Sequence, residues 1–198
     1  MKSELSLLFS NKLNLGPAYA DTFLKLMSTK VIRKNDFLIV EGTICNFLGI
    51  VNSGSIRSFV RNDQEEFNND FYFEDDFVSA YNSFLTRRPN GCNIQALTDT
   101  EIYCLSYEQL NTLLNEDKEW MKFGKYVSDF FYIKKCERET SLLRNSATER
   151  LDLLLENFPG IEQKVSQYHI ASYLGIKPET LSRIKAAKLQ KNSSARTR

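Results

Sequence analysis

The sequence predicts an α+β protein in three parts: a β-sandwich, roll or barrel, then a long helix, then a helical C-terminal domain. Three observations lead there. Between Thr29 and Ser106 lie short runs of β-branched and aromatic residues separated by turn signals, from Glu116 to Thr140 an apolar stripe repeats at three- and four-residue steps, and Gln167 to Ala186 reads QYHIASYLGIKPETLSRIKA. Short strands at even spacing point to all-β architecture, and a period near 3.6 residues points to helix.

The first segment, Ser3 to Ser28, carries Leu5, Leu8, Phe9, Tyr19, Phe23, Leu24 and Met27 at helical spacings broken by Gly16 and Pro17, and predicts two short helices. The strand runs that follow are KVIRK, FLIV, FLGIV, SIRSFV, NNDFYF, NIQAL and EIYCLS. Their breaks include Asn35-Asp36, Glu41-Gly42, Asn52-Ser53-Gly54, Asn62-Asp63, Asp75-Asp76 and Pro89-Asn90-Gly91. The β-domain ends near Ser106. Tyr107 to Leu114 then reads as a short helix and Glu116 to Thr140 as a long one.

In the long helix Trp120, Phe123, Val127 and Phe130 form the stripe, with Phe131 beside them. It covers about two heptads, short of a free-standing coiled coil. Either it packs on the β-domain or it joins two subunits, and the dimer seam is the expectation carried forward. Asn145 to Phe158 is a further helix: Ser146 and Glu149 make a capping box, Leu151, Leu154, Leu155 and Phe158 form its apolar face, and Pro159-Gly160 stops it.

Helix-turn-helix spacing explains the last stretch better than an ordinary helical hairpin does. Ile170 and Leu174 lie one turn apart, Ala171 permits a close crossing, Gly175 permits the turn, and Ile176, Leu181 and Ile184 close the small core. Ser166 is the expected N-cap of the first helix, and Pro178 is pre-set for the first turn of the second. Pro178, Glu179, Ser182, Arg183 and Lys185 then point away from that core, the face a recognition helix turns to the major groove. The tail after Leu189, QKNSSARTR, is polar and basic and reads as disordered.

Composition narrows the function. The net charge is +1, yet from Ser141 onward ten Lys and Arg face five Asp and Glu, against sixteen and twenty before it. A basic C-terminal part fits contact with phosphates. Cys45, Cys92, Cys104 and Cys136 are far apart without a CxxC pair, so they read as small, mostly buried residues of a reduced cytosolic protein. No apolar run approaches a membrane span and the N-terminus is broken by Glu and Lys; a cytoplasmic protein without membrane contact is expected. An enzyme on the β-domain would need two or three His with a carboxylate, or a Ser-His-Asp or Cys-His set, and the only His is His169. No catalytic or metal-ligating constellation is expected, and no cofactor.

Leading helices, β-domain, long helix and C-terminal helix-turn-helix, in that order, resemble the Crp/Fnr family of bacterial transcription regulators. The resemblance is strongest at GIKPETLSRIK, similar to the family's recognition helix. It is visible also in VNSGSIR, similar to a strand-glycine-strand turn of the β-roll, and in Phe77 to Tyr107, which looks like the phosphate-binding cassette and the two strands after it. It implies a double-stranded β-helix of jelly-roll type, a cyclic-nucleotide-binding-like sensor over residues 1–115, a dimerisation helix over 116–140 and a DNA-binding domain over 141–198. It also implies a homodimer on double-stranded DNA, with RNA polymerase and a small-molecule effector as further partners. Arg183 would pair bidentately with a guanine edge and Glu179 accept from a cytosine amino group. Thr180 and Ser182 would touch phosphate or base edges, and Lys177, Pro178, Lys185 and Lys188 complete the face.

The sequence departs from the family in three places. Laid without gaps on Phe77 to Tyr107, the Glu that would hold the ribose and the Arg and Ser that would hold the cyclic phosphate fall on Ala80, Asn90 and Gly91, so cyclic AMP is not the expected ligand. The effector pocket would be made by Ser79, Ala80, Tyr81, Arg87, Arg88, Asn90 and Gly91; Arg87 and Arg88 could substitute as phosphate partners after a loop shift, although adjacent Arg on a polar loop ordinarily face solvent. An iron-sulfur sensor needs N-terminal Cys and none precedes Cys45. A haem sensor needs an axial ligand, often His, and His169 lies inside the helix-turn-helix, where it reads as a surface or capping residue. Finally, KLQKNSSARTR is too short and polar for the β-hairpin wing that commonly follows the recognition helix, with Lys185, Lys188 and Lys191 left to make phosphate contacts. The alternative function is an effector-binding or protein-interaction β-roll that has lost DNA binding.

Overall fold

The computed structural model describes residues 2–63 and 65–196, with side chains described over residues 5–63 and 65–190. Helix α1 (Lys2–Leu7) runs through a π-helical turn, Leu8–Lys12, towards α2 (Pro17–Leu26), which begins on a proline. Among the described residues eight strands follow: β1 (Ser28–Ile32), β2 (Phe37–Ile39), β3 (Phe47–Ser53), β4 (Ile56–Asn62), β5 (Glu65–Tyr72), β6 (Phe77–Val78), β7 (Asn93–Ala96) and β8 (Thr100–Ser106), with α3 (Tyr81–Thr86) between β6 and β7. They form two antiparallel four-stranded sheets, in the orders β1-β8-β3-β6 and β2-β7-β4-β5. The jelly-roll expectation is met.

The chain crosses from one sheet to the other between β3 and β4, in the VNSGSIR turn. Gly54 makes the crossing at φ +97°, and a Cβ there would lie 2.6 Å from the Asp99 carbonyl, so no other residue fits. Val51, Ile56, Ile94, Ile102 and Leu105 fill the space between the sheets and are fully buried. Burying one such side chain stabilises the fold by roughly 1.5–3 kcal/mol.

Helix α4 (Tyr107–Glu116) starts on a capping box between Ser106 and Gln109 and leads into α5 (Trp120–Arg144), a 25-residue helix. Here the structure corrects the expected dimer seam. Trp120, Phe123 and Val127 are buried in their own chain's core, and Phe130 is half-buried against Phe77 at 5.5 Å. The partner of the stripe is supplied by the leading helices: the Phe123 ring lies 5.7 Å from Phe9 and 4.7 Å from Phe23, and Tyr19 meets Trp120 at 5.3 Å. Periodicity announces that one face of a helix is buried, not against what. The outer face of α5 instead exposes Tyr132, Ile133 and Leu143, the last at 83 %, with Cys136 between them.

A second core is built by α6 (Ala147–Asn157), the short α7 (Ile161–Lys164), α8 (Gln167–Leu174) and α9 (Pro178–Arg196). Leu151, Leu154, Ile161, Val165, Ile170, Ala171, Leu174 and Leu181 meet there, and Phe71 of β5 is buried among them. The C-terminal tail does not follow the sequence expectation of disorder: α9 continues to Arg196, because nothing between Leu189 and Arg196 is a glycine or proline that would end it. Thr197 and Arg198 lie outside the described residues. Among the described residues no strand follows α9, and no helix is long and apolar enough to cross a membrane.

Candidate nucleic-acid interface

Helices α8 and α9 form the helix-turn-helix as their local signals require. Ser166 accepts the His169 amide through Oγ at 3.3 Å, and Gly175 closes α8 in the left-handed region at φ +67°. Ile170, Ala171, Leu174 and Leu181 are buried, with Ile176 and Ile184 partly buried against them. Two arginines secure the end of α8: Arg150 donates through Nε to the Leu174 carbonyl at 2.9 Å, and Arg138 donates to the Tyr173 carbonyl. A capping box between Ser146 and Glu149 starts α6, the helix that supports the pair.

This core leaves one face of α9 uncovered. Lys177, Pro178, Glu179, Ser182 and Arg183 are exposed, and Thr180, Lys185 and Lys188 are partly so. Seven of the eight residues singled out from the sequence therefore lie on α9, and Lys177 immediately precedes it. Arg183 donates to Thr180 Oγ1 at 3.3 Å, Lys185 pairs with Glu162 and bonds Gln167 Oε1 at 2.9 Å, and Lys188 pairs with Asp152. A groove of about 400 Å³ between α6 and α9 is lined by Thr148, Thr180, Arg183, Ile184, Ala187 and Lys188. Donors of both kinds needed on nucleic acid are present: the exposed guanidinium of Arg183, and the ammonium groups of Lys177, Lys185 and Lys188, of which the last two are partly buried against carboxylates.

Of the residues expected to make an effector pocket, Ser79, Ala80, Tyr81, Arg87 and Asn90 are taken up by their own neighbours. Ser79 donates to the Phe47 carbonyl at 2.9 Å, and Ala80 is buried. Tyr81 stacks on Phe131 of α5 at 4.4 Å and hydrogen-bonds Ser128 Oγ at 2.8 Å, bridging α3 to α5. Arg87 is not a solvated loop residue: it donates to the Cys45 carbonyl at 2.6 Å and lies 4.1 Å over the Tyr107 ring. Asn90 spends Nδ2 on the Val40 and Thr43 carbonyls and Oδ1 on the Cys92 amide, all at 2.9 Å. Arg88 and Gly91 are exposed. The four cysteines are free, Cys45 and Cys104 buried and the other two partly so. Burial pushes the Cys104 thiol up to about 11.

His169 is neither a free surface residue nor only part of a cap. Its Nδ1 lies 3.2 Å from Arg57 Nη1, and since a guanidinium only donates, Nδ1 accepts and the ring proton sits on Nε2. Burial, then the Arg57 charge, pushes its pKa down to about 4, so the ring is neutral near pH 7. Arg57 itself is buried, paired with Glu66 at 2.7 Å and with Gln95 Oε1 through Nε and Nη2 at 3.0 and 2.7 Å. Burial alone would raise the Glu66 pKa, but hydrogen bonds from Arg57 and Arg61 outweigh it and hold the carboxylate below its usual range. Sequence reasoning missed this cluster; Arg57, Glu66 and Gln95 stand on β4, β5 and β7 as ordinary polar strand residues do, and only the fold brings His169 of α8 to them.

Residues 29–117 match the family model of the cyclic nucleotide-binding domain. No curated protein matches the chain. Among solved structures, FixK2 from Bradyrhizobium japonicum is similar over 84 % of this chain and 86 % of its own, with TM-score 0.73 and 17 % identity. The c-di-GMP responsive global regulator CLP from Xanthomonas campestris is similar over 90 % of this chain and 93 % of its own, with TM-score 0.67 and 19 % identity. A protein from Eubacterium rectale assigned to the Crp/Fnr transcriptional regulators is similar over 89 % and 85 %, with TM-score 0.68 and 18 % identity. At these identities the likeness is one of fold.

Proposed function

We propose that this chain, which carries a cyclic nucleotide-binding domain over residues 29–117 within the Crp/Fnr regulator fold, is a homodimeric, DNA-binding transcription regulator that does not respond to cyclic AMP. The observation that supports it is the uncovered face of α9, where Glu179, Ser182 and Arg183 stand exposed on a capped helix-turn-helix, with Lys177 exposed just before the helix. Arg183 reads a guanine, Glu179 accepts from a cytosine, Thr180 and Ser182 touch phosphate or base edges, and Lys177, Lys185 and Lys188 set affinity through charge. Residues 1–115 form the sensor, 116–140 the dimerisation segment and 141–198 the DNA-binding part. The dimer forms through the outer face of α5, where Tyr132 and Ile133 are exposed, in place of the buried stripe. Insensitivity to cyclic AMP is supported by the side chains that fill the cassette: Ala80 and Asn90 offer a phosphate no cation, Arg87 is spent on Cys45 and Tyr107, and Tyr81 stacks on α5.

A binding titration of Arg183→Ala and Lys188→Ala on a selected site and a scrambled duplex, at two salt concentrations, tests this reading. Arg183→Ala should lose roughly 1 to 3 kcal/mol per half-site and relax preference at one base position. Lys188→Ala should weaken both duplexes alike and lower the salt slope by about one. Equal losses on both duplexes for Arg183→Ala would leave α9 supplying charge without sequence reading.

A further inference from the structure

The edge of the roll nearest the helix-turn-helix is closed by α8. Strand β5 is the outer strand of its sheet, so one row of its backbone groups lacks a strand partner. Ser172 of α8 takes up two of them: its Oγ accepts the Asn68 amide at 2.9 Å and donates to the Glu66 carbonyl at 2.7 Å. Asn68 Nδ2 donates to the His169 carbonyl at 3.3 Å, and Arg57 reaches His169 Nδ1 beside it. Three residues after Asn68, Phe71 leaves the roll altogether and is fully buried in the C-terminal core, 5.2 Å from the Tyr173 ring. Helix α5 ties the same spot from a third side: Lys134 pairs with Asp70 at 2.9 Å and donates to the Phe71 carbonyl at 3.1 Å, while Arg138 lies 3.8 Å over Tyr173.

We propose that β5 and α8 form a latch that fixes the orientation of the helix-turn-helix on the roll and α5, so that a dimer presents its two recognition helices in one mutual geometry. The inference rests on the DNA-binding reading above. The latch uses His169, Ser172 and Tyr173, and leaves Lys177, Pro178, Glu179, Ser182 and Arg183 exposed, so closing it covers none of the residues that meet DNA. A unit free to swing about the α5–α6 junction would be aligned with its copy only part of the time, and affinity for a two-half-site duplex would fall in proportion to that fraction. A single half-site engages one unit alone and carries no such dependence. The latch therefore acts on the geometry of paired binding and not on base contacts.

The test compares Ser172→Ala and Phe71→Ala with the unmodified protein on a duplex carrying two inverted half-sites and on one carrying a single half-site. Full-site affinity should drop about threefold for Ser172→Ala and about tenfold for Phe71→Ala, with half-site affinity unchanged to within about twofold. Retained half-site binding reports that the C-terminal core is still folded in the variants. Amide exchange in β5 and α8 should accelerate in Ser172→Ala. Full-site affinity that is kept or raised overturns the latch, and so do equal losses on both duplexes, which mark a damaged core. An unmodified protein that binds neither duplex above a scrambled control overturns the DNA-binding reading and the latch with it.

Discussion

Replacing Phe123 by Ala separates the two partners that the α5 stripe could have had. The Phe123 ring is fully buried and touches three others: Phe9, nearly parallel at 5.7 Å with an 8° interplanar angle, Phe23 at 4.7 Å, and Phe77 at 6.2 Å edge-on. Truncating a buried phenylalanine to alanine costs roughly 3–5 kcal/mol, and three aromatic neighbours losing a ring contact place this case near the upper half, about 4 kcal/mol. For a chain of this length that loss lowers the unfolding midpoint by about 10 °C. The assay is heat unfolding followed by circular dichroism, paired with light scattering at tens of micromolar. Phe123→Ala should melt early yet keep the oligomeric state of the unmodified protein at low temperature. Ile133→Glu, on the exposed face of α5, should do the reverse, with a near-normal midpoint at monomer mass. A Phe123→Ala protein that melts normally and is monomeric would refute the assignment and return the stripe to a subunit seam.

Calorimetry with cyclic AMP or cyclic GMP should show no saturable heat in the micromolar range, because Asn90 is spent on Val40, Thr43 and Cys92 and Arg87 on Cys45; a dissociation constant of about ten micromolar, on the order of -7 kcal/mol, would contradict this. A second expectation concerns pH. His169 titrates at about 4 in the folded protein and near 6.5 when unfolded, so over that window the unfolded chain binds a proton the folded one does not, and stability falls as pH drops from about 6.5 towards 4. At about 1.4 kcal/mol per pKa unit the full shift corresponds to about 3 kcal/mol, which screening at a half-exposed ring reduces to about 1 kcal/mol. His169→Gln removes the titration, so unfolding midpoints of the two proteins should converge on acidification; parallel curves would show that His169 contributes nothing to it.

Local order was legible in the chain itself. The turn residues at Gly54 and Gly175 each mark a positive φ, Ser146 with Glu149 makes a reciprocal cap, and Ser166 caps α8, because each rests on contacts within a few residues or on one backbone conformation. The α8–α9 core was legible for the same reason, its apolar positions being fixed by two helical periods and one turn. What the chain could not state was the partner of each buried face. The stripe on α5 reads alike whether Phe9 and Phe23 of the same chain or a second copy covers it, and only the packing of the leading helices decided. Arg87 reads as a solvated loop cation until the fold brings the Cys45 carbonyl and the Tyr107 ring beneath it. Asn68 and Phe71 read as part of one more strand, yet with Glu66 they meet His169, Ser172 and Tyr173 about a hundred residues away. Periodicity and capping are short-range, and they determine how much of a residue is buried; which element buries it is settled by the summed packing of the whole chain.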